Sequence, residues 1–482
     1  MTDIARNIIA ETATLRAASQ RLNEGVGGLI LVVDGGGVLK GVLTDGDFRR
    51  AVLGGGDLDQ PVGRYMNRQF QSESQDSPRD AILKRLDHRI RHLPLLDDAG
   101  RPVDMVSWNE IWRMPISEPS LGGNELKYVA DCINTMWISS QGAYIGKFEK
   151  AVTDYIGTPF GLTTSNGTNA LQLALAALGI GRGDEVIVPS ITFGACGNAV
   201  IHAGATPVFV DIDARTKTID PAAVEAAITP RTKAIMPVHL YGHPADMDPI
   251  LEIAARHGLK VVEDCAEAIG AEYKGRRVGT FGDVGCFSFF ANKVVTTGEG
   301  GFVTTKDEAL HLRMKMLRDH GMEPGRRYWH VEPGFNFRMT NMQAAVGLAQ
   351  MERIDAFLQG RLDVARLYTE LLSDVAGIRV PFVANWAKSI YWLYVVEVDG
   401  DRDALITRLA KRGVETRYVF PPLHVQPAFG SQPANTRPVS ERYAAEGLCL
   451  PLSNVMTEDD ARRVVLTIVE ELHANQALTA HA

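Results

Sequence analysis

Hydrophobic and polar positions fall along this chain in two textures, and the change between them lies near residue 114. Before it, GLILVVDGGGVLKGVLTDGDFRRAV (28–52) patterns as an apolar strand, a Gly-rich turn, a second strand and then a helix. HRIRHLPLLDDAGRPVDMVSWNEIW (88–112) repeats that plan: strand, Asp-Asp-Ala-Gly turn, strand, helix start. A duplicated unit of this kind predicts two modules packed face to face. The connector MPISEPSLGG (114–123), rich in Pro, Ser and Gly, marks a boundary.

From residue 124 short apolar runs alternate with helical stretches. The strand candidates are EVIVP (185–189), PVFVDI (207–212), AIMPV (234–238) and GLKVVED (258–264), with helices expected over 168–178 and 249–257. Such alternation predicts an α/β fold, a mostly parallel sheet covered by helices on both faces. The last 120 or so residues differ again, with a strand at IYWLYVVEVD (390–399), a helix opening at Asp401 and an amphipathic helix at Glu458–Leu472. They read as a small α+β domain, and the tail ANQALTAHA is expected to fray. The predicted organisation is a paired module over 1–113, a linker over 114–123, a large domain over 124–360 and a small domain over 361–482.

Composition narrows the possible functions. The chain has 482 residues, 45% hydrophobic and 22% charged, with a formal net charge of −8. This is globular composition without a basic footprint, so nucleic acid is not an expected partner. The five cysteines are scattered and form no CxxC pair, which points away from disulfides and zinc and toward a reducing compartment. The N-terminus lacks a signal-peptide pattern and no apolar run reaches membrane-spanning length. The expectation is a soluble, cytoplasmic protein with no metal and no membrane contact.

Chemistry concentrates in the second texture. Lys293 lies in GCFSFFANKVVTTGEGG (285–301), where an aromatic-rich strand runs into a Gly-rich loop. Burial there would lower its basicity, as an amine needs in order to form a Schiff base near neutral pH. Asp264 ends KVVED at the sheet's C-terminal edge, where α/β proteins place ligands. It is either a helix cap or the partner of a protonated pyridine nitrogen, as in pyridoxal phosphate (PLP). SNGTNALQLALAALGIG (165–181) is either a capped core helix or a phosphate cradle formed by Gly167, Thr168 and Asn169. Ser288 would add a hydroxyl to that cradle, and Phe193 would stack on a flat ring. Each signal alone has an ordinary structural explanation, but together they would supply a phosphate cradle, a ring-stacking group, a pyridinium partner and a Schiff-base lysine.

Residues from about 118 to the C-terminus resemble the DegT/DnrJ/EryC1/StrS sugar aminotransferases. The resemblance rests on WISSQG (137–142), SNGTNAL (165–171), VEDCAEAIGA (262–271), FSFFANKVVTTGEGG (287–301) and GFNFRMTNMQAAVGLAQ (334–350). It implies a fold-type I PLP aminotransferase, a homodimer with shared active sites, and glutamate as amino donor. Residue by residue, it implies Lys293 as the lysine that holds the cofactor and Asp264 as the pyridinium partner. Gly167, Thr168 and Ser288 become phosphate contacts and Phe193 the stacking aromatic. Glu267 falls near the ring hydroxyl, where many members have Gln, and Asn336 reaches the phosphate from the neighbouring subunit. RYWHVEPGFNFRMTN (327–341) and AAVGLAQME (344–352) look most like members that aminate C4 of GDP-4-keto-6-deoxymannose for surface polysaccharide, apart from Ala291, where those often have Gly. Tyr328 and His330 are then candidates for substrate contacts, and UDP- or dTDP-linked 4-keto-sugars remain alternatives.

The N-terminal repeats resemble a pair of CBS domains. GVLTDGD (41–47) fits their GxxTxxD pattern, so Thr44 and Asp47 become candidates for a nucleotide's ribose and phosphate. DMVSWNE (104–110) departs from it, with Asp104 for Gly and Glu110 for Asp. The pair is expected to be either a nucleotide sensor or a dimerisation module. The alternative for the whole chain is a nucleotide-sensing regulatory protein on the same scaffold.

Overall fold

The computed structural model describes all residues except 1–3, 25–27, 79–80, 83–84, 87–89, 108–112, 324, 431–435 and 480–482. The chain divides into two compact units, Met1–Arg113 and Met114–Ala482.

The first unit is built twice on one plan. β1 (Ile8–Ala10) pairs parallel with β2 (Leu29–Val33), which pairs antiparallel with β3 (Leu39–Thr44). β4 (Glu73–Ser74), β5 (His92–Leu96) and β6 (Pro102–Ser107) repeat that arrangement. Helix α1 (Leu15–Glu24) connects β1 to β2, and α2 (Asp45–Leu53) follows β3. Leu29, Leu31 and Val33 of the first repeat share a core with Met105 of the second, as packed repeats require. The helix start expected at 109–112 lies outside the described residues.

The second unit carries a seven-stranded sheet. Its strands are β7 (Phe160–Thr164), β8 (Glu185–Pro189), β9 (Thr206–Val210), β10 (Thr232–Ile235), β11 (Lys260–Asp264), β12 (Val284–Ser288) and β13 (Gly301–Thr305). Their order is β7-β13-β12-β11-β10-β8-β9, and β13 alone runs against the rest. Neighbouring residues of one strand face opposite cores. Val186 and Val188 join the cluster beneath α3 (Gly167–Ala177) and α4 (Ala195–His202). Ile187 joins the one beneath α5 (Met247–His257). A strand buried on both faces is apolar throughout, which is why EVIVP was legible as a run.

Helix α6 (Ile354–Leu372) runs unbroken across residue 360 into the C-terminal region. There Ile378–Arg379, Tyr394–Val398, Gly447–Leu450 and Arg417–Tyr418 form a four-stranded antiparallel sheet. The connector after residue 113 is pinned down: the Met114 amide donates to Gly413 O at 2.8 Å and Ile116 is buried. The last helix, α7 (Glu458–Thr479), runs past the end expected at Leu472, and residues 480–482 of the tail lie outside the described residues. No Gly or Pro interrupts HANQALT, so nothing stops the helix at Leu472.

Candidate active site

Strand register sets the first contact. Ser288 of β12 pairs with Gly301 of β13, which pairs with Thr164 of β7. Gly301 has no side chain to intervene, and a Cβ there would collide with Asn166 O. Ser288 therefore lies against the start of α3: a Cβ added to Gly167 would come 2.8 Å from Ser288 Cβ. Asn166 caps that helix by accepting from the Asn169 amide at 2.8 Å. Among the described residues, no hydrogen bond claims the Gly167 and Thr168 amides, which head the helix as donors for an anion.

Asp264 ends β11, buried and paired with Cys286 of the strand that carries Ser288. Its Oδ1 accepts from the Ala266 amide at 2.9 Å and its Oδ2 from the Cys196 thiol at 2.8 Å. Phe193, one turn before Cys196, is 62% exposed, so its ring has a free face.

Lys293 follows β12 and points back into the protein. Its Nζ lies 3.7 Å from Glu267 Oε1 and 3.5 Å from the centre of the Trp392 ring. Burial lowers the lysine's basicity below its usual 10.5, although the Glu267 charge opposes this. Burial also pushes the Glu267 carboxyl up to about 7, against the pull of Lys293 and the Tyr241 amide. Both shifts favour the neutral forms, because desolvation exceeds the attraction between the pair. An uncharged amine at moderate pH is what Schiff-base chemistry requires.

Two aromatics unmarked in the sequence complete this pocket. Tyr241 has φ +51°, a left-handed conformation costing about 1–3 kcal/mol in a non-glycine residue. That backbone presents its amide to Glu267 Oε2 at 2.8 Å. The Tyr241 ring lies parallel to Trp392, with centres 6.0 Å apart. Trp392 Nε1 in turn donates to Asn292 O at 2.8 Å. The buried Arg361 reaches the Trp392 carbonyl at 2.9 Å and Asn454 Oδ1 at 2.7 Å, and Asn454 donates to Val294 O. One guanidinium therefore braces both sides of the lysine loop.

Behind Asp264, His239, Glu263 and Cys265 gather closely enough to suggest a metal site. Hydrogen bonding accounts for them instead. His239 Nδ1 accepts from the Ala245 amide, so Nε2 carries the hydrogen and donates to Glu263 at 3.1 Å. Glu263 also accepts from the amides of Gly279, Phe281 and Gly282.

Lys293 thus lies against Glu267, with the Asp264 charge acting on both, and Ser288 lies against Gly167 at the head of α3. Asn336, Tyr328 and His330 are exposed, and the Phe337 carbonyl next to Asn336 accepts from the Ser165 amide just before the Gly167 turn. Asn336 Oδ1 accepts from Arg338, His330 bonds the His320 carbonyl, and Tyr328 is 74% exposed with φ +65°. A cavity of about 560 Å³, lined by Asp213, Arg215, Phe382 and Trp386 among others, includes none of these residues.

The donor set fits PLP. Among the described residues there are unclaimed amides at the head of α3 with Ser288 beside them, a buried carboxylate for a ring nitrogen, and a desolvated lysine. In the first unit, Thr44 and Asp47 form a capping box on α2: Thr44 Oγ1 accepts from the Asp47 amide, and Asp47 Oδ2 accepts from the Thr44 amide at 2.9 Å. Burial resists ionisation of Asp47, but the Thr44 donors and Arg50 outweigh it and lower its pKa. Thr44 also lines a cleft of about 480 Å³ with Phe70, Arg91 and His92.

Residues 119–469 match the sequence profile of the DegT/DnrJ/EryC1/StrS aminotransferase family. Residues 3–54 and 62–111 match that of the CBS domain. The GDP-perosamine synthase of Caulobacter vibrioides is 48% identical over 369 residues, covering 76% of this chain and 100% of that protein. The UDP-N-acetyl-3-dehydro-alpha-D-glucosamine 3-aminotransferase of Acidithiobacillus ferrooxidans is 42% identical over 327 residues, covering 67% of this chain and 88% of that protein. Among solved structures, DesV of S. venezuelae in complex with a ketimine intermediate aligns with a TM-score of 0.71 at 38% identity, covering 74% of this chain and 98% of that one.

Proposed function

The chain belongs to the DegT/DnrJ/EryC1/StrS aminotransferase family, and from that membership we propose that it aminates C4 of GDP-4-keto-6-deoxymannose, with glutamate as donor, for surface polysaccharide. It is a PLP-dependent sugar aminotransferase; the choice of sugar and donor is the proposal. One observation carries the choice of sugar: the 48% identity spans the whole of a GDP-perosamine synthase.

Bound PLP supplies a reactive carbonyl and an electron-withdrawing ring. The protein's residues divide the remaining work. The Gly167 and Thr168 amides and Ser288 Oγ hold the phosphate, and Asp264 holds the proton of the ring nitrogen. Lys293 Nζ, its basicity lowered by burial, takes a proton from the donor's α-carbon. In the second half-reaction it delivers a proton to the sugar carbon that receives the amine. Glu267, at 3.7 Å, attracts the charged form of that amine and opposes the effect of burial. The exposed segment carrying Tyr328, His330 and Asn336 serves the active site of a second copy in a homodimer, where Asn336 meets the phosphate and the other two meet the sugar nucleotide.

The likeness to a UDP-sugar 3-aminotransferase favours a UDP-linked keto-sugar as the second candidate. Turnover of GDP-4-keto-6-deoxymannose should exceed that of UDP- and dTDP-linked 4-keto-sugars. A preference for either of those would reverse the assignment.

The CBS pair is proposed to bind a regulatory nucleotide in the cleft beside Thr44 and Asp47. Adenine and guanine nucleotides should change turnover in the wild type and not in Asp47→Ala. An unchanged rate in both would leave the pair a dimerisation module.

A further inference from the structure

Helix α4 departs from simple core packing at one position. Ala199 and Val200 bury hydrocarbon, as expected of a helix covering a sheet. Cys196, equally buried, instead meets two polar groups: Thr192 Oγ1 at 3.3 Å and Asp264 Oδ2 at 2.8 Å. Among the described residues it is the one side chain that donates to Asp264; the other donor is the Ala266 amide on Oδ1.

We propose that Cys196 is a positioning residue for transamination: its S–H bond to Asp264 keeps that carboxylate ionised, so that the shared proton stays on the cofactor's ring nitrogen. The inference rests on the assignment of Asp264 as the partner of that nitrogen.

In a dry site, a carboxylate facing a pyridinium can relax to a neutral pair by taking the proton, and the ring then loses its electron-withdrawing charge. A donor on the carboxylate opposes that transfer by stabilising the anion. Lys293 does not fill this role, since its amine contacts Glu267 and Trp392. Burial, and then the Asp264 charge, raise the thiol's pKa well above 9.0, so Cys196 remains a donor throughout the working range. Thr192, turned toward the sulfur, has the geometry to donate to it and polarise the S–H group further. With both Asp264 oxygens engaged by different segments, the carboxylate is also fixed in orientation.

The test uses holoenzyme loaded with PLP labelled with ¹⁵N in the ring, and reads the nitrogen chemical shift. The variants are Cys196→Ala, Cys196→Ser and Asp264→Asn. Ala and Ser leave nearly the same space, and Ser alone keeps a donor. The wild type and Cys196→Ser are expected at the protonated position. Cys196→Ala should move toward the unprotonated position and lose about tenfold in turnover, the value of one hydrogen bond to a charged group. If Asp264→Asn moves the signal while Cys196→Ala and Cys196→Ser both leave it in place, the role of Cys196 is refuted. If Asp264→Asn leaves it in place as well, the assignment of Asp264 fails and the inference fails with it.

Discussion

Replacing Glu263 by Gln tests whether the strand that delivers Asp264 is anchored as described. Oε1 accepts from the Phe281 and Gly282 amides at 2.7 and 2.8 Å, and Oε2 from the Gly279 amide and His239 Nε2 at 2.8 and 3.1 Å. Whichever way the new amide turns, its NH₂ faces two donors. His239 cannot adapt by changing tautomer, because its Nδ1 already accepts from Ala245. Two hydrogen bonds to a charged acceptor are lost, each worth about 1.5–3 kcal/mol, so destabilisation of about 3–6 kcal/mol is expected. Burial raises the Glu263 pKa, but His239 and the amides outweigh it and hold the value below 4.5. The stability tied to this group is therefore present above pH 4.5 and lost as pH falls through the folded-state value. Calorimetry of the full chain at pH 8 should show the larger transition lowered by several degrees in Glu263→Gln, with the gap narrowing in acid. A difference below about 1 kcal/mol at pH 8, less than one such bond, would refute the bonding pattern.

Other consequences follow from the same site. Gly167→Ala places a Cβ 2.8 Å from Ser288 Cβ, so PLP affinity should fall about tenfold or more, measured by cofactor titration of apoprotein. Glu267 has its pKa raised from 4.5 to about 7, so its stability contribution is whole below pH 4.5 and lost as pH rises through about 7. Infrared titration of apoprotein should show a protonated-carboxyl band disappearing near pH 7, and Glu267→Gln should lack it. Lys293→Ala should give a colourless protein without transaminase activity; full turnover would exclude the lysine from catalysis.

What could be read from the sequence tracks what each contact depends on. EVIVP was visible because a strand buried on both faces is uniformly apolar. FGLTT, which became β7, was not: Thr163 and Thr164 are buried with their hydroxyls bonded to Glu149 and Asn166, so a core strand carries polar letters. Lys293, Asp264 and the Gly167 turn stood out because each lies in a local pattern of strand end and loop. Trp392 and Tyr241 did not, since their roles come from contacts across long stretches of chain; Trp392 bonds a carbonyl 100 residues away. Cys196 is one of five scattered cysteines in the sequence, and only its distance to Asp264 distinguishes it. Asn336 and His330 are engaged within one chain by Arg338 and the His320 carbonyl, and Tyr328 is exposed, so none of the three shows its proposed role by a contact within one chain.

The central claim is that one buried amine, on Lys293, holds PLP. Reducing the yellow holoenzyme with borohydride and mapping its peptides tests this directly. The account predicts a phosphopyridoxyl label on the peptide containing Lys293 and on no other. A label on a different lysine, or none on protein saturated with cofactor, would contradict it.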